Sequence, residues 1–127
     1  MGETVNQPNS VFGYWSPLYH LPIKPALLGP EFQIYTPTES VEEANMLQTI
    51  ISMPNSDPSV DLSGFNALVL NTPALLDLAD RRFFYGRMPA ALRSALATAI
   101  DANTDNPSRV MTAVYLAALA GQYQTQY

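Results

Sequence analysis

Along the chain, a turn or capping side chain is repeatedly followed by a proline and then by apolar residues at helical spacing. The first instance is Thr36-Pro37-Thr38-Glu39, with a hydroxyl at the cap, proline at the first helical position and Glu39 placed to close a capping box. Val41, Ala44, Leu47, Ile50 and Ile51 then recur on one face, and Pro54 ends the helix. Asn71-Thr72-Pro73 opens a second helix, with Leu75, Leu76, Ala79 and Phe83 facing inward and Gly86 as its terminal glycine. Within it, Asp77 stands four residues before Arg81, the spacing of a helical ion pair. A third helix is expected from about Met88 to Ala102, with the stripe Met88, Leu92, Ala95, Leu96, Ala99 and Ile100. Asn106-Pro107 caps a fourth, Ser108 to about Ala120. The lengths between these segments differ, so they do not form a repeat.

The fourth segment is apolar nearly all round: Val110, Met111, Val114, Tyr115, Ala117 and Leu119. A short helix apolar on every side belongs at the centre, touched on two or more faces. Between the first two helices, Asn55–Gly64 reads as a polar loop. Phe65–Leu70 is a short apolar run, either a strand or a buried helical turn, between which periodicity does not arbitrate.

Residues 1–35 carry no helical period and are broken by Pro8, Pro17, Pro22, Pro25 and Pro30. They also hold Phe12, Tyr14, Trp15, Tyr19, Phe32 and Tyr35, too many aromatics for a solvated tail. The reading is an irregular, aromatic-rich arm, 1–35, draped on a helical body, 36–127, with one helical turn near Val11–Trp15. The expected fold class is all-α, with about four helices packed around the central C-terminal helix.

Composition sharpens this picture. The 127 residues suffice for one domain with a core, yet only 13% are charged against 47% hydrophobic. That charged share is about half the ~25% usual in soluble domains, so part of the surface is expected to rest on another chain or on further parts of a parent protein. The net charge of −5 argues against a nucleic-acid partner. Charge is uneven: Met1 to Gly64 holds Lys24 and seven acids, whereas Phe65 to Tyr127 holds five arginines and four aspartates. The first ten residues lack the basic and apolar stretches of an export leader. The longest apolar-rich stretch, 110–120, is too short to cross a bilayer, so no membrane span is expected.

Site chemistry is sparse. With no cysteine there is no disulfide, thiolate zinc site or thiol nucleophile. His20 is the sole histidine and has no sequence-near acid or nucleophile; it is read as partly buried and hydrogen-bonded within the arm. Asp57, Ser59, Asp61 and Ser63 alternate like calcium-loop ligands, but Leu62 and Leu68 stand where the motif needs glycine and glutamate. Neither metal nor cofactor is implied. Glu42 and Glu43 point about 100° apart on a helix and cannot form an acid–base pair with each other. Asp80, Arg81 and Arg82 read as a surface ion-pair cluster. Two candidate binding groups are left: Tyr14, Trp15 and Tyr19 as a stacking platform for sugar rings, and Arg81, Arg82 and Arg87 as an anion- or partner-binding patch.

Particular runs carry a resemblance. Ser10-Val-Phe-Gly-Tyr-Trp-Ser-Pro-Leu-Tyr, Gly29-Pro-Glu-Phe-Gln-Ile-Tyr-Thr-Pro-Thr-Glu, Asn71-Thr-Pro-Ala-Leu-Leu-Asp and Arg109-Val-Met-Thr-Ala-Val-Tyr-Leu, in that order, resemble the C-terminal part of the bacterial domain of unknown function 1800 family. The resemblance implies a longer, mainly helical, exported parent, either periplasmic or at the cell surface. It carries no activity and no catalytic residues. The leading expectation is a non-catalytic structural or interaction module, partnered by the remainder of its parent, by another protein or by itself. The alternatives are a carbohydrate- or polymer-binding segment using the aromatic arm, and a fragment of a hydrolase-like enzyme completed elsewhere.

Overall fold

A computed structural model describes residues 7–8, 13–33, 36–53 and 59–124. The chain is mostly helical, with one small two-stranded sheet, and is broadly all-α. It forms two compact units, Met1–Met46 and Leu47–Tyr127, the division falling within the first helix, α1 (Pro37–Ser52).

In the first unit, β1 (His20–Leu21) pairs antiparallel with β2 (Lys24–Leu28), His20 opposite Leu28 and Leu21 opposite Lys24, with an irregularity between the two pairs. Prolines that forbid a helix are compatible with this arrangement: Pro22 lies in the turn, and Pro25 sits in a strand of a sheet that has two strands among the described residues. The hairpin is closed by Gly29 N–H donating to Tyr19 O at 3.0 Å and leads into a 3-10 turn, Pro30–Gln33. Gly29 leaves room for two neighbouring side chains. A Cβ at that position would lie 3.0 Å from the Phe32 ring and 3.1 Å from Leu21. Periodicity suggests no strand in this segment, so the hairpin is a feature of the structure alone. Of the helical turn expected near Val11–Trp15, residues 11–12 lie outside the described residues, and 13–15 form a bridge and a bend.

α1 begins where the capping hydroxyl places it, with Thr36 Oγ1 accepting from Glu39 N–H at 3.5 Å. Its expected stripe is only partly covered. Ile51 is buried and Leu47 half-buried, whereas Val41 is exposed. Pro54 lies outside the described residues.

The second unit holds the core. The run that periodicity leaves open is a helical turn, α2 (Ser63–Asn66), which inserts Phe65 and continues through turns that bury Val69. α3 (Thr72–Ala79) is capped by Asn71, whose Oδ1 accepts from Ala74 N–H at 3.1 Å. It continues as a π-helical turn, Asp80–Phe84. A π-turn adds a residue per turn and so rotates the side chains beyond it. Phe84 is thereby buried and Phe83 half-buried, where a regular helix would place only Phe83 inward. The turn ends with Tyr85 and Gly86 both left-handed, at φ 54° and 76°.

α4 (Ala90–Asp101) buries Leu96 and Ile100. Ala95, expected inside, is exposed, and the half-buried alanine beside the core is Ala97. α5 (Asn106–Leu119) is capped one residue earlier than expected. Asp105 rather than Asn106 is the cap, and its carboxylate accepts from Ser108 N–H at 2.9 Å. α5 is central, in contact with α2, α3, α4 and a last short helix, α6 (Gly121–Gln124). Ala113 and Ala117 are fully covered, and their small side chains let the neighbouring helices approach α5 closely. α6 turns Tyr123 edge-on to Phe83, ring centroids 5.2 Å apart. None of the described helices is long and apolar enough to cross a membrane.

Candidate functional site

Among the described residues, the densest polar arrangement is centred on Arg109, near the start of α5. Its side chain is only 15% exposed. Nε donates to Val69 O at 3.1 Å; Nη1 donates to Ile100 O at 3.2 Å and Asn103 O at 3.4 Å. Nη2 donates to Thr72 Oγ1 at 2.6 Å and Asp101 Oδ1 at 3.0 Å. A guanidinium has five N–H donors, and all five are used. The carbonyls of Ile100 and Asn103 belong to the last turn of α4 and the loop after it, and Val69 closes the turn before α3. The Ile100 carbonyl also accepts from Asn103 N–H at 3.1 Å, so the guanidinium adds a second donor there while tying together the ends of three elements. Asn103 adds to the knot, donating from Nδ2 to Ala99 O at 2.8 Å and Thr112 Oγ1 at 3.1 Å.

The Thr72 hydroxyl donates to Asp101 Oδ1 at 2.6 Å. That bond, and next the Arg109 guanidinium, hold the Asp101 carboxyl below the ordinary value of 3.8. A carboxylate held that firmly ionised is a poor general base near neutral pH. Thr72, Asp101 and Arg109 therefore make a structural clasp.

Acid should loosen it. A folded-state pKa below the unfolded one gives stabilisation that is complete above the unfolded value and lost as pH falls through the folded value. Asp105, lowered mainly by hydrogen bonds from Ser108, and Asp61, lowered mainly by those from Ser63, act in the same sense. We expect the melting temperature to stay level from neutral pH to about 5 and to fall below about 4. Melts of Asp101→Asn should be lower at neutral pH and show a shallower acid limb. An acid limb unchanged in that variant would remove Asp101 from the account.

Beside the clasp, a cleft of about 380 Å³ opens between α3 and α4. Leu76, Ala90 and Ala97 line its apolar part, and Thr72, Arg93 and Asp101 its polar part. Arg93 Nη2 is bonded to Asp77 Oδ1 and to Pro73 O. Thr72, Arg93 and Asp101 at the cleft are thus already engaged with the protein. Helical spacing alone would pair Asp77 with Arg81 along its own helix. It pairs across to α4 instead, because α3 and α4 pack side by side and bring Arg93 to it.

The sequence-derived candidates fall elsewhere. Tyr14 and Tyr19 are half-buried and Trp15 is 37% exposed, its ring lying 3.6 Å from where a Gly13 Cβ would be. His20 is exposed on β1 rather than partly buried, since a two-stranded hairpin has no second layer of its own to cover it. Arg81, Arg82 and Arg87 are exposed, all within residues 81–87. The expected Asp80–Arg81–Arg82 ion-pair cluster is not formed. Asp80 turns inward, and its Oδ1 accepts from Met88 N–H at 2.9 Å, bridging the left-handed turn. Asp61 Oδ1 accepts from Ser63 N–H at 2.8 Å at the start of α2, and Asp57 lies outside the described residues. Among the described residues, no three of His, Asp or Glu come together as metal ligands.

Compared with known proteins, the chain matches no family model, no curated protein and no solved structure. Function therefore has to be read from surfaces. Four exposed apolar residues lie in or beside the hairpin, Ile23 at 93%, Leu18 at 71%, Leu28 at 55% and Leu27 at 51%; Leu70, Tyr85 and Val41 are exposed elsewhere. β2 is exposed along its whole length.

Proposed function

We propose that this chain is a non-catalytic interaction module, the closing part of a longer exported bacterial protein, which docks through the β1–β2 hairpin. The observation that carries the reading is the apolar hairpin. Leu18, Ile23, Leu27 and Leu28 stand on a two-stranded ribbon, and such a ribbon is marginal in water without a further layer. Several large apolar groups left exposed on one short segment mark a surface that another chain covers. The sequence resemblance to the domain of unknown function 1800 family supports the longer parent. The mutual hydrogen bonding of Thr72, Asp101 and Arg109 supports a role without catalysis.

Helical melts at two protein concentrations test this, with and without the paired substitution Ile23→Lys and Leu27→Lys. For the native chain we expect a midpoint that rises with concentration, together with binding of an apolar-surface dye. The paired variant should lose both while keeping its helical signal. A native midpoint independent of concentration, without dye binding, would overturn the reading.

A further inference from the structure

The run Arg81-Arg82-Phe83-Phe84-Tyr85-Gly86-Arg87 is held from inside and open outside. Phe84 is 5% exposed, and Phe83 packs against Phe65 and Tyr123, so the two phenylalanines anchor the π-turn in the core. Arg81, Arg82 and Arg87 face solvent, and between them Tyr85 is 72% exposed. Tyr85 sits at φ 54°, a left-handed conformation that is uncommon for a bulky residue.

The charges around this knuckle do not balance locally. Each described carboxylate of the second unit has another commitment. Asp61 takes the Ser63 N–H, Asp77 takes Arg93, and Asp80 takes the Met88 N–H. Asp101 takes Thr72 and Arg109, and Asp105 takes the Ser108 N–H. Arg93 and Arg109 are thereby paired, whereas the guanidinium groups of Arg81 and Arg87 make no ion pair or hydrogen bond among the described residues. The Arg82 charge is a minor contributor to the lowering of the Asp61 carboxyl, well after the hydrogen bonds from Ser63. On a chain of net charge −5, this is a concentrated positive surface beside an exposed aromatic ring.

We propose that the 81–87 knuckle docks an acidic protein segment, its carboxylates gripped by the guanidinium forks of Arg81, Arg82 and Arg87 with the Tyr85 ring alongside. Planar guanidinium matches carboxylate in a two-pronged geometry, and an exposed tyrosine adds contact area at low entropic cost. A long polyanion such as nucleic acid is disfavoured, because three arginines offer few phosphate contacts and the rest of the chain repels it. The proposal deepens the interaction-module reading but uses a different surface from the hairpin, so either can fail alone.

The test is fluorescence polarisation of a labelled hexaglutamate peptide at about 20 mM and about 150 mM salt, a range over which screening changes strongly. Competition with unlabelled oligothymidylate runs in parallel. We expect saturable binding that weakens with salt and resists oligothymidylate. It should fall at least about ten-fold in the triple variant Arg81→Gln, Arg82→Gln, Arg87→Gln. Tyr85→Ala should weaken it less, and Leu70→Ala, at a side chain 84% exposed, should leave it unchanged. Since all four knuckle residues are exposed, unchanged helical melts will show that the variants remain folded. Absence of saturable binding, equal binding by the folded triple variant, or preference for oligothymidylate would each overturn the proposal.

Discussion

Replacing Arg109 by alanine is expected to cost about 2–4 kcal/mol of folding stability, with a melting temperature lower by on the order of 10 °C. The reason is the number of groups orphaned at once. The carbonyls of Val69 and Asn103 lose their Arg109 donor, that of Ile100 keeps the Asn103 N–H alone, and the Asp101 carboxylate keeps Thr72 but loses its counter-charge. Asp101 is 59% exposed, so water recovers part of the loss, and the figure stays below that of a fully buried pair. Arg109→Lys should restore only part of it, since an ammonium keeps the charge but lacks the five-donor fork. Urea unfolding of the three proteins at neutral pH decides this. A loss under about 1 kcal/mol in the alanine variant would mean that water replaces the guanidinium and that the clasp contributes little.

Leu75→Ala is expected to cost as much or more, about 3–5 kcal/mol. Leu75 has no exposed surface and belongs to the cluster that joins Phe65, Leu76, Leu96, Ile100, Val110 and Val114. Truncation removes its transfer energy and leaves a cavity between helices that cannot collapse freely. Against a total stability of about 5–15 kcal/mol, that is a large fraction. Leu70→Ala is the matched control. The same chemical change five residues earlier, at a side chain 84% exposed, should fall within about 0.5 kcal/mol of zero. Equal effects at the two positions in urea titrations would mean that the packing around α3 is not as described.

Much of the helical framework was legible because its signals are local. Thr36, Asn71 and the prolines after them place helix starts through hydrogen bonds that close within four residues. The all-apolar character of 110–119 foretold a central α5 for a reason independent of its partners: such a helix has no face to give to water. Polar assignments that depended on a neighbouring element were not legible. Asp77 finds Arg93, and Asp80 finds Met88 N–H, only because a π-turn and the packing of α4 bring them there. Arg109 gave one weak signal, as an arginine on a helix otherwise apolar, but none of its five acceptors is nearer than six residues in sequence. The hairpin was hidden too, since its apolar residues face solvent and obey no burial period.

The amino-acid sequence alone determined the class of this protein, its helix starts and its central helix. It also shows the lack of thiols and the single imidazole, since capping, proline geometry and residue chemistry need no long-range information. Tertiary structure decided which charges are spent and which are left over. A carboxylate goes to whichever donor packing brings within hydrogen-bonding reach, and that choice closes the Arg109 clasp while leaving Arg81, Arg82 and Arg87 facing water.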